Sequence, residues 1–161
     1  MQWIKTVLLA LTLCVSFNAS ALTDDEEAVW RDGITNGDIK TVQRFIKADA
    51  EVVNEKIFGW SPLQMATNAH KPKMVEYLLS KGADINYIHP YANHTSFHLA
   101  ALSKDTNMTT LLAKKGADVN IKMRNHLSLI QFFRDEGDKA MVDHLTSLGV
   151  KDDGCSGEWC D

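Results

Sequence analysis

Gly59-Trp-Ser-Pro-Leu-Gln-Met-Ala-Thr-Asn-Ala-His-Lys-Pro-Lys-Met-Val-Glu-Tyr-Leu-Leu-Ser-Lys-Gly-Ala-Asp-Ile-Asn86 reads as one complete structural unit. Ser61 is a hydroxyl N-cap, and Pro62 follows at the first helical position, where the missing N–H has no partner to lose. Leu63, Met65 and Ala66 then form a short apolar stripe, which predicts a first helix. A break spans Asn68 to Pro72, after which Met74, Val75, Leu78 and Leu79 recur at helical spacing up to Gly82, a residue suited to a left-handed cap. Two short helices cannot bury both stripes alone, so the unit requires copies of itself to stack on.

Those copies are in the chain. Gly82-Ala-Asp-Ile-Asn returns as Gly116-Ala-Asp-Val-Asn, and Gly149-Val-Lys follows one period later. In the same register Leu63 aligns with Phe97 and Ile130, the helix caps are Ser61, Thr95 and Ser128, and Leu78 aligns with Leu112 and Leu145. One period earlier, Trp30 takes the Leu63 position, Gly37-Asp-Ile-Lys-Thr-Val the inter-helix break, and Phe45-Ile46 the paired leucines. Leu63, Leu78, Leu79, Phe97, Leu99, Leu112, Ile130, Phe132 and Leu145 are therefore expected in the core.

Ser61-Pro-Leu-Gln-Met-Ala66 and Thr95-Ser-Phe-His-Leu-Ala100 resemble the Thr-Pro-Leu-His-x-Ala fingerprint of the ankyrin-repeat family. The resemblance covers about Asp24 to Val150. It implies an all-α solenoid of four helix-turn-helix units (24–54, 55–86, 87–120 and 121–150) with β-hairpin fingers between them. Some positions depart from the pattern: Gln64 and Gln131 replace the fingerprint histidine that His98 keeps, and Asp49 stands where the capping glycine belongs. Aspartate tolerates the left-handed region better than most residues, so a weakened left-handed cap is expected at Asp49.

Before the repeats, Met1 to Lys5 leads into an apolar segment from Thr6 to Phe17 that ends at Ala19-Ser-Ala21. That is the pattern of a secretory signal, with residues 1–21 removed by cleavage before Leu22; the apolar run is short of the ~20 residues of a membrane span. Cys14 does not make a lipoprotein signal, because Leu13 precedes it where a small residue is wanted. The expected location is periplasmic or secreted.

The chain carries 17 Lys and Arg against 21 Asp and Glu, a net charge of −4, which loss of Lys5 with the signal shifts by one further negative charge. An acidic surface argues against nucleic-acid or anionic-membrane partners, which require a basic face. Lys71, Lys73 and Lys81, with Lys114 and Lys115, read as solvated outer sides of second helices. Asp24 to Glu27 place negative charge at the N-terminal end of the first helix.

After Val150 the pattern stops, and the tail 151–161 holds Cys155 and Cys160. With the signal removed these are the only cysteines, and in an oxidising compartment they read as a disulfide rather than a zinc site, for which no histidine lies nearby. His89, His94 and His98 lie within ten residues, but no carboxylate or thiol set completes a metal site. The fingerprint role of His98, by the resemblance, is to stiffen its finger through backbone and hydroxyl groups, which leaves His89 and His94 as exposed loop residues. No nucleophile elbow, zinc-protease helix or phosphate-cradling loop is present, so neither catalysis nor a cofactor is expected.

The connecting segments 55–60, 87–94 and 121–127 are rich in aromatic, His, Met and Arg residues where a solvated turn favours Gly, Asn, Asp and Ser. Tryptophan, tyrosine and arginine are the residue types that dominate binding hot spots. In the family the docking surface consists of fingers and first helices, which maps here onto Ile57, Phe58, Trp60, Asn68, Tyr91, His94, Leu102, Arg124, Leu127 and Asp135. Packing of Trp60 and Tyr91 from finger to finger is the competing reading. The resemblance implies a protein partner. Three roles fit it: an inhibitor or immunity protein of a periplasmic toxin, for which an acidic surface would suit a basic partner; an accessory factor of a periplasmic enzyme, for instance in peroxide defence; or a secreted effector. For a eukaryotic source, Asn93-His-Thr and Asn107-Met-Thr would be glycosylation sequons.

Overall fold

The structure, a computed structural model, describes residues 22–152 and 154. Eight α-helices follow one another in pairs among these residues: α1 (Asp24–Asn36) with α2 (Ile39–Ala48), α3 (Pro62–Asn68) with α4 (Pro72–Ser80), α5 (Ser96–Leu102) with α6 (Thr106–Lys114), and α7 (Leu129–Asp135) with α8 (Lys139–Ser147). Each pair packs against itself, and α3 lies between α1 and α5. The signal segment and the Cys155 and Cys160 pair lie outside the described residues.

The periodic caps form as the spacing predicts. Ser61, Thr95 and Ser128 each accept a hydrogen bond from the backbone N–H three residues on. Gly82, Gly116 and Gly149 have φ of +91°, +91° and +89°, and the residue after each donates back to Leu78, Leu112 or Leu145. A Cβ at any of these glycines would meet nothing within 4 Å, so backbone conformation alone demands glycine there. Thr23 closes α1 with a capping box to Glu26.

Stacking buries the aligned positions. Trp30, Leu63, Phe97 and Ile130 are at most 1% exposed, as are Leu78, Leu112 and Leu145. Phe45 and Ile46 pack against the core only partly, because α2 belongs to the entry unit. Leu79, Leu99 and Phe132, expected in the core, are half-buried. Ile34, Val42, Met108, Phe133 and Met141 fill the interior in addition.

Recurring side chains also tie unit to unit. Asn54 Oδ1 accepts from Asp84 N–H at 2.9 Å, Asn86 from Asp118 at 2.8 Å and Asn120 from Lys151 at 2.8 Å, which explains the Gly-Ala-Asp-x-Asn recurrence: the Asn of one copy holds the backbone of the next. At the inter-helix turns His70 Nδ1 lies 2.9 Å from Asp105 and Lys104 Nζ 2.6 Å from Asp138, so the N-cap carboxylates of α6 and α8 are met from the preceding unit. The hydrogen bond and charge of Lys104 hold Asp138 below the usual carboxylate range. Burial pushes Asp105 up but is outweighed by hydrogen bonds from His70 and the Met108 N–H, leaving it lowered.

The backbone departs from the expected conformation at Asp49 and at the fingers. Asp49 is extended (φ −147°, ψ 118°) rather than left-handed, because its carboxylate caps the 3-10 turn Ala50–Asn54 by accepting from Glu51 N–H. The fingers are tight turns instead of hairpins of strands: among the described residues no strand forms, and a single antiparallel bridge joins Ile57 to Trp60. Six to eight residues leave room for a turn and one pair of closing bonds, too little for a ladder.

Candidate protein-docking site

Each finger is set by buried polar side chains beneath it. His98 donates from Nε2 to Ile121 carbonyl at 2.8 Å, and its Nδ1 accepts from Thr95 N–H at 3.0 Å, so the neutral Nε2–H tautomer is the one that fits. Burial pushes His98 down to about 4, against the Ile121 bond, which favours the charged form; nearby His94 lowers it further. Gln64 does the same work one unit earlier, its Nε2 donating to His94 carbonyl at 2.7 Å and Tyr87 carbonyl at 3.3 Å while Oε1 accepts from Ser61 N–H.

His89 and His94, expected as exposed loop residues, are buried and half-buried. His89 Nδ1 accepts from the backbone N–H of Tyr91 and Ala92, shaping the second finger, and its ring lies 4.8 Å from Trp60 and 6.0 Å from Tyr91 between centroids. Burial pushes His94 down as well, helped by His89. Among the described residues no group of three His, Cys, Asp or Glu side chains converges as a metal site.

The first finger turns at Phe58 and Gly59 with φ of +51° and +82°, the type I′ pattern, closed by Ile57 N–H to Trp60 carbonyl at 3.0 Å and the reverse bond at 2.9 Å. Tyr87 Oη donates to Gly59 carbonyl at 2.9 Å, which fastens this finger to the next. Phe58 is 80% exposed and Tyr91 76%. A hollow of about 240 Å³ opens beside Phe58, lined by Arg31, Thr35, Ile57, Phe58, Trp60, Met65, Asn68 and Ala69.

Four of the ten expected docking residues thus meet in one place: Ile57, Phe58, Trp60 and Asn68. Ile57 is only 4% exposed and belongs to the floor, not to an outer surface. Trp60 both lines the hollow and packs on His89, so its two readings hold together. Arg124 Nη2 donates to Tyr91 carbonyl at 2.6 Å and borders a second hollow between the second and third fingers. His94 and Leu127 serve mainly in finger closure, their carbonyls accepting from backbone N–H groups of His89 and Met123. Leu102, half-buried, and Asp135, exposed, end α5 and α7 in the Asn68 register, outside the first hollow. Sequence reasoning misses Arg31, Thr35, Met65 and Ala69 as lining residues; Arg31 alone carries a signal, as an arginine where the other units have Gln64, His98 and Gln131.

The family model described as ankyrin repeats (3 copies) matches residues 31–123. The chain belongs to the ankyrin-repeat family. Its fourth unit, α7 with α8, extends beyond that match. An ankyrin repeat, SAM and basic leucine zipper domain-containing protein 1 from Notamacropus eugenii is 23% identical over 126 residues, 76% of this chain and 26% of the relative. The protein of the same name from Atelerix albiventris is 25% identical, over 74% of this chain and 26% of its own length. An ankyrin repeat protein of Fowlpox virus (strain NVSL) is 35% identical over 83 residues, 49% of this chain and 12% of that protein. The chain spans about a quarter of the length of the mammalian relatives it matches, and the similarity is that of the repeats. Ankyrin repeats are protein-binding modules, and no described helix is long and apolar enough to cross a membrane.

Proposed function

We propose that this ankyrin domain is a non-catalytic binding module of an exported protein, docking on a protein partner through its finger tips and the adjoining hollow. The observation that carries the reading is Phe58. A bulky residue at φ +51° costs on the order of 1 kcal/mol, and leaving its ring in water forgoes burial as well. The equivalent positions carry Ala92 and Asn125, so the repeat does not require an aromatic there. Export rests on the signal pattern of residues 1–21, and the corresponding location is the periplasm or the outside of the cell. Within this reading the protein acts by occlusion, as an inhibitor or immunity protein of a periplasmic toxin; an accessory role beside a periplasmic enzyme, or a secreted effector role, would show as a different partner.

Site-specific photocrosslinking tests it. A photoreactive side chain at position 58 or 91 should give a defined protein adduct in exporting cells, and the same group at Glu76 on α4 should not. An adduct confined to Glu76 would move docking to the opposite side. The adduct's identity separates toxin, enzyme and host protein.

A further inference from the structure

We infer that the hollow beside Phe58 takes a bulky apolar side chain from a peptide segment of the partner and pairs a neighbouring carboxylate of that segment with Arg31. This rests on the docking reading above and adds the chemistry of what is docked. About 240 Å³ lies under the ~300–1,000 Å³ of sites for drug-sized ligands and suits one large side chain. Trp60 and Met65 supply apolar walls, and the thioether of Met65 adapts to irregular shapes.

The polar groups at its edge narrow the choice. Arg31 is the one charged residue on the wall, in a chain whose net charge is −4. Its ion pair among the described residues is with Asp32, 3.9 Å from Nε, on a side chain 69% exposed to water. That contact leaves the terminal guanidinium nitrogens, the fork that matches a carboxylate, free of it. Asn68, also on the wall, is exposed, and its side chain makes no hydrogen bond within the described residues.

The register makes the same point independently. Residues 31, 64 and 98 occupy one position of the repeat, and Gln64 and His98 spend their side chains on carbonyls of the following finger. Arg31 makes no such bond; the first finger is closed by its own Ile57 and Trp60 bonds and by Tyr87. In the entry unit the position that elsewhere braces a finger therefore presents a cation to the hollow. The charge that selects the docked segment is the positive one at the hollow, opposite to the sign of the whole chain.

Selection of displayed random 12-residue peptides on the purified protein tests this, followed by titration of one synthetic capped peptide bearing the consensus. The consensus should hold Phe, Trp, Leu or Met within three positions of Asp or Glu. Changing the acidic residue of that peptide to its amide should weaken binding to the wild type about tenfold and change binding to Arg31→Gln little, a coupling expected of a charge-assisted bond. Phe58→Ala should weaken both peptides. A consensus without an acidic residue, or equal loss with Arg31→Gln, overturns the carboxylate pairing while the docking reading stands, provided Phe58→Ala still weakens binding. Peptides indifferent to Phe58→Ala, or no enrichment over the Phe58→Ala protein, overturn both.

Discussion

Lowering the pH from 7 to 5 should cost the fold about 2 kcal/mol at one side chain, His98, because the folded protein refuses a proton that the unfolded chain accepts. His98 is 1% exposed, and its Nδ1 accepts the Thr95 N–H, so protonation there would bury a charge and turn an acceptor into a second donor. The folded value of about 4 against an unfolded 6.5 sets the window. Stability is complete above pH 6.5, falls as pH drops at a limiting slope of about 1.4 kcal/mol per pH unit, and levels off below 4 after a loss of ~3 kcal/mol.

Urea denaturation between pH 7 and 4.5, on wild type and His98→Gln, isolates the effect. Glutamine is the natural control, since Gln64 braces the second finger from the same register. It cannot titrate, so the variant's stability should change less with pH by about 2 kcal/mol at pH 5. His94, also lowered, adds loss in the same direction in both proteins, and only its coupling to His98 remains in the difference. Asp105 and Asp138, held low, lose their contributions only as pH falls through the carboxylate range, again in both. Parallel stability curves for the two proteins would refute the burial argument.

Gly116→Val places a β-branched residue at φ +91° and should destabilise by about 1–3 kcal/mol, and amide exchange should rise in α7 and α8 as well, because each unit is held by its neighbour. Phe58→Asn should keep or raise the melting temperature, since Asn125 holds the equivalent left-handed position at +58°, while partner affinity falls; Leu112→Ala, by contrast, should cost ~2–5 kcal/mol of stability without a selective effect on binding. Intact mass of the exported protein should begin at Leu22 and lie two hydrogens below the dithiol form, and a different start or two alkylatable thiols would count against cleavage after Ala21 or the Cys155 to Cys160 bond.

The repeat frame is legible in the sequence because its signals are local: a hydroxyl cap, an apolar stripe and a capping glycine, each recurring at one period. Leu63, Phe97 and Ile130 are buried for the reason that makes them align. What is not legible depends on contacts between units. His89 looks like a loop residue until Trp60, on the preceding finger, covers its ring. Asp49 looks like a poor left-handed cap until its carboxylate is seen capping the next turn. The finger shape follows from bonds such as Gln64 to His94, 30 residues apart, which no local pattern reveals. At the site the aromatic bias of the fingers points to Phe58 and Trp60, yet the hollow they share is completed by helix residues Met65 and Arg31 whose facing depends on the stack.

On the docking reading proposed above, stability and recognition fall to different groups, and Trp60 marks where they meet. The fingers are held from below by Gln64 and His98, and the far ends of the units by Asn54, Asn86 and Asn120, so backbone positions are fixed without help from the finger tips. This over-determination lets Phe58 remain at positive φ and in water: Ile57, Trp60 and Tyr87 bond the turn on both sides of it, and the strain has no local route to relax. The exposed side chains at the tips, Phe58 and Tyr91, are then not needed to hold the backbone and, on the proposed reading, can follow the partner. Trp60 is not, because it walls the hollow on one side and covers His89 on the other. Its truncation should lower stability and affinity together, whereas truncation of Phe58 should lower affinity alone.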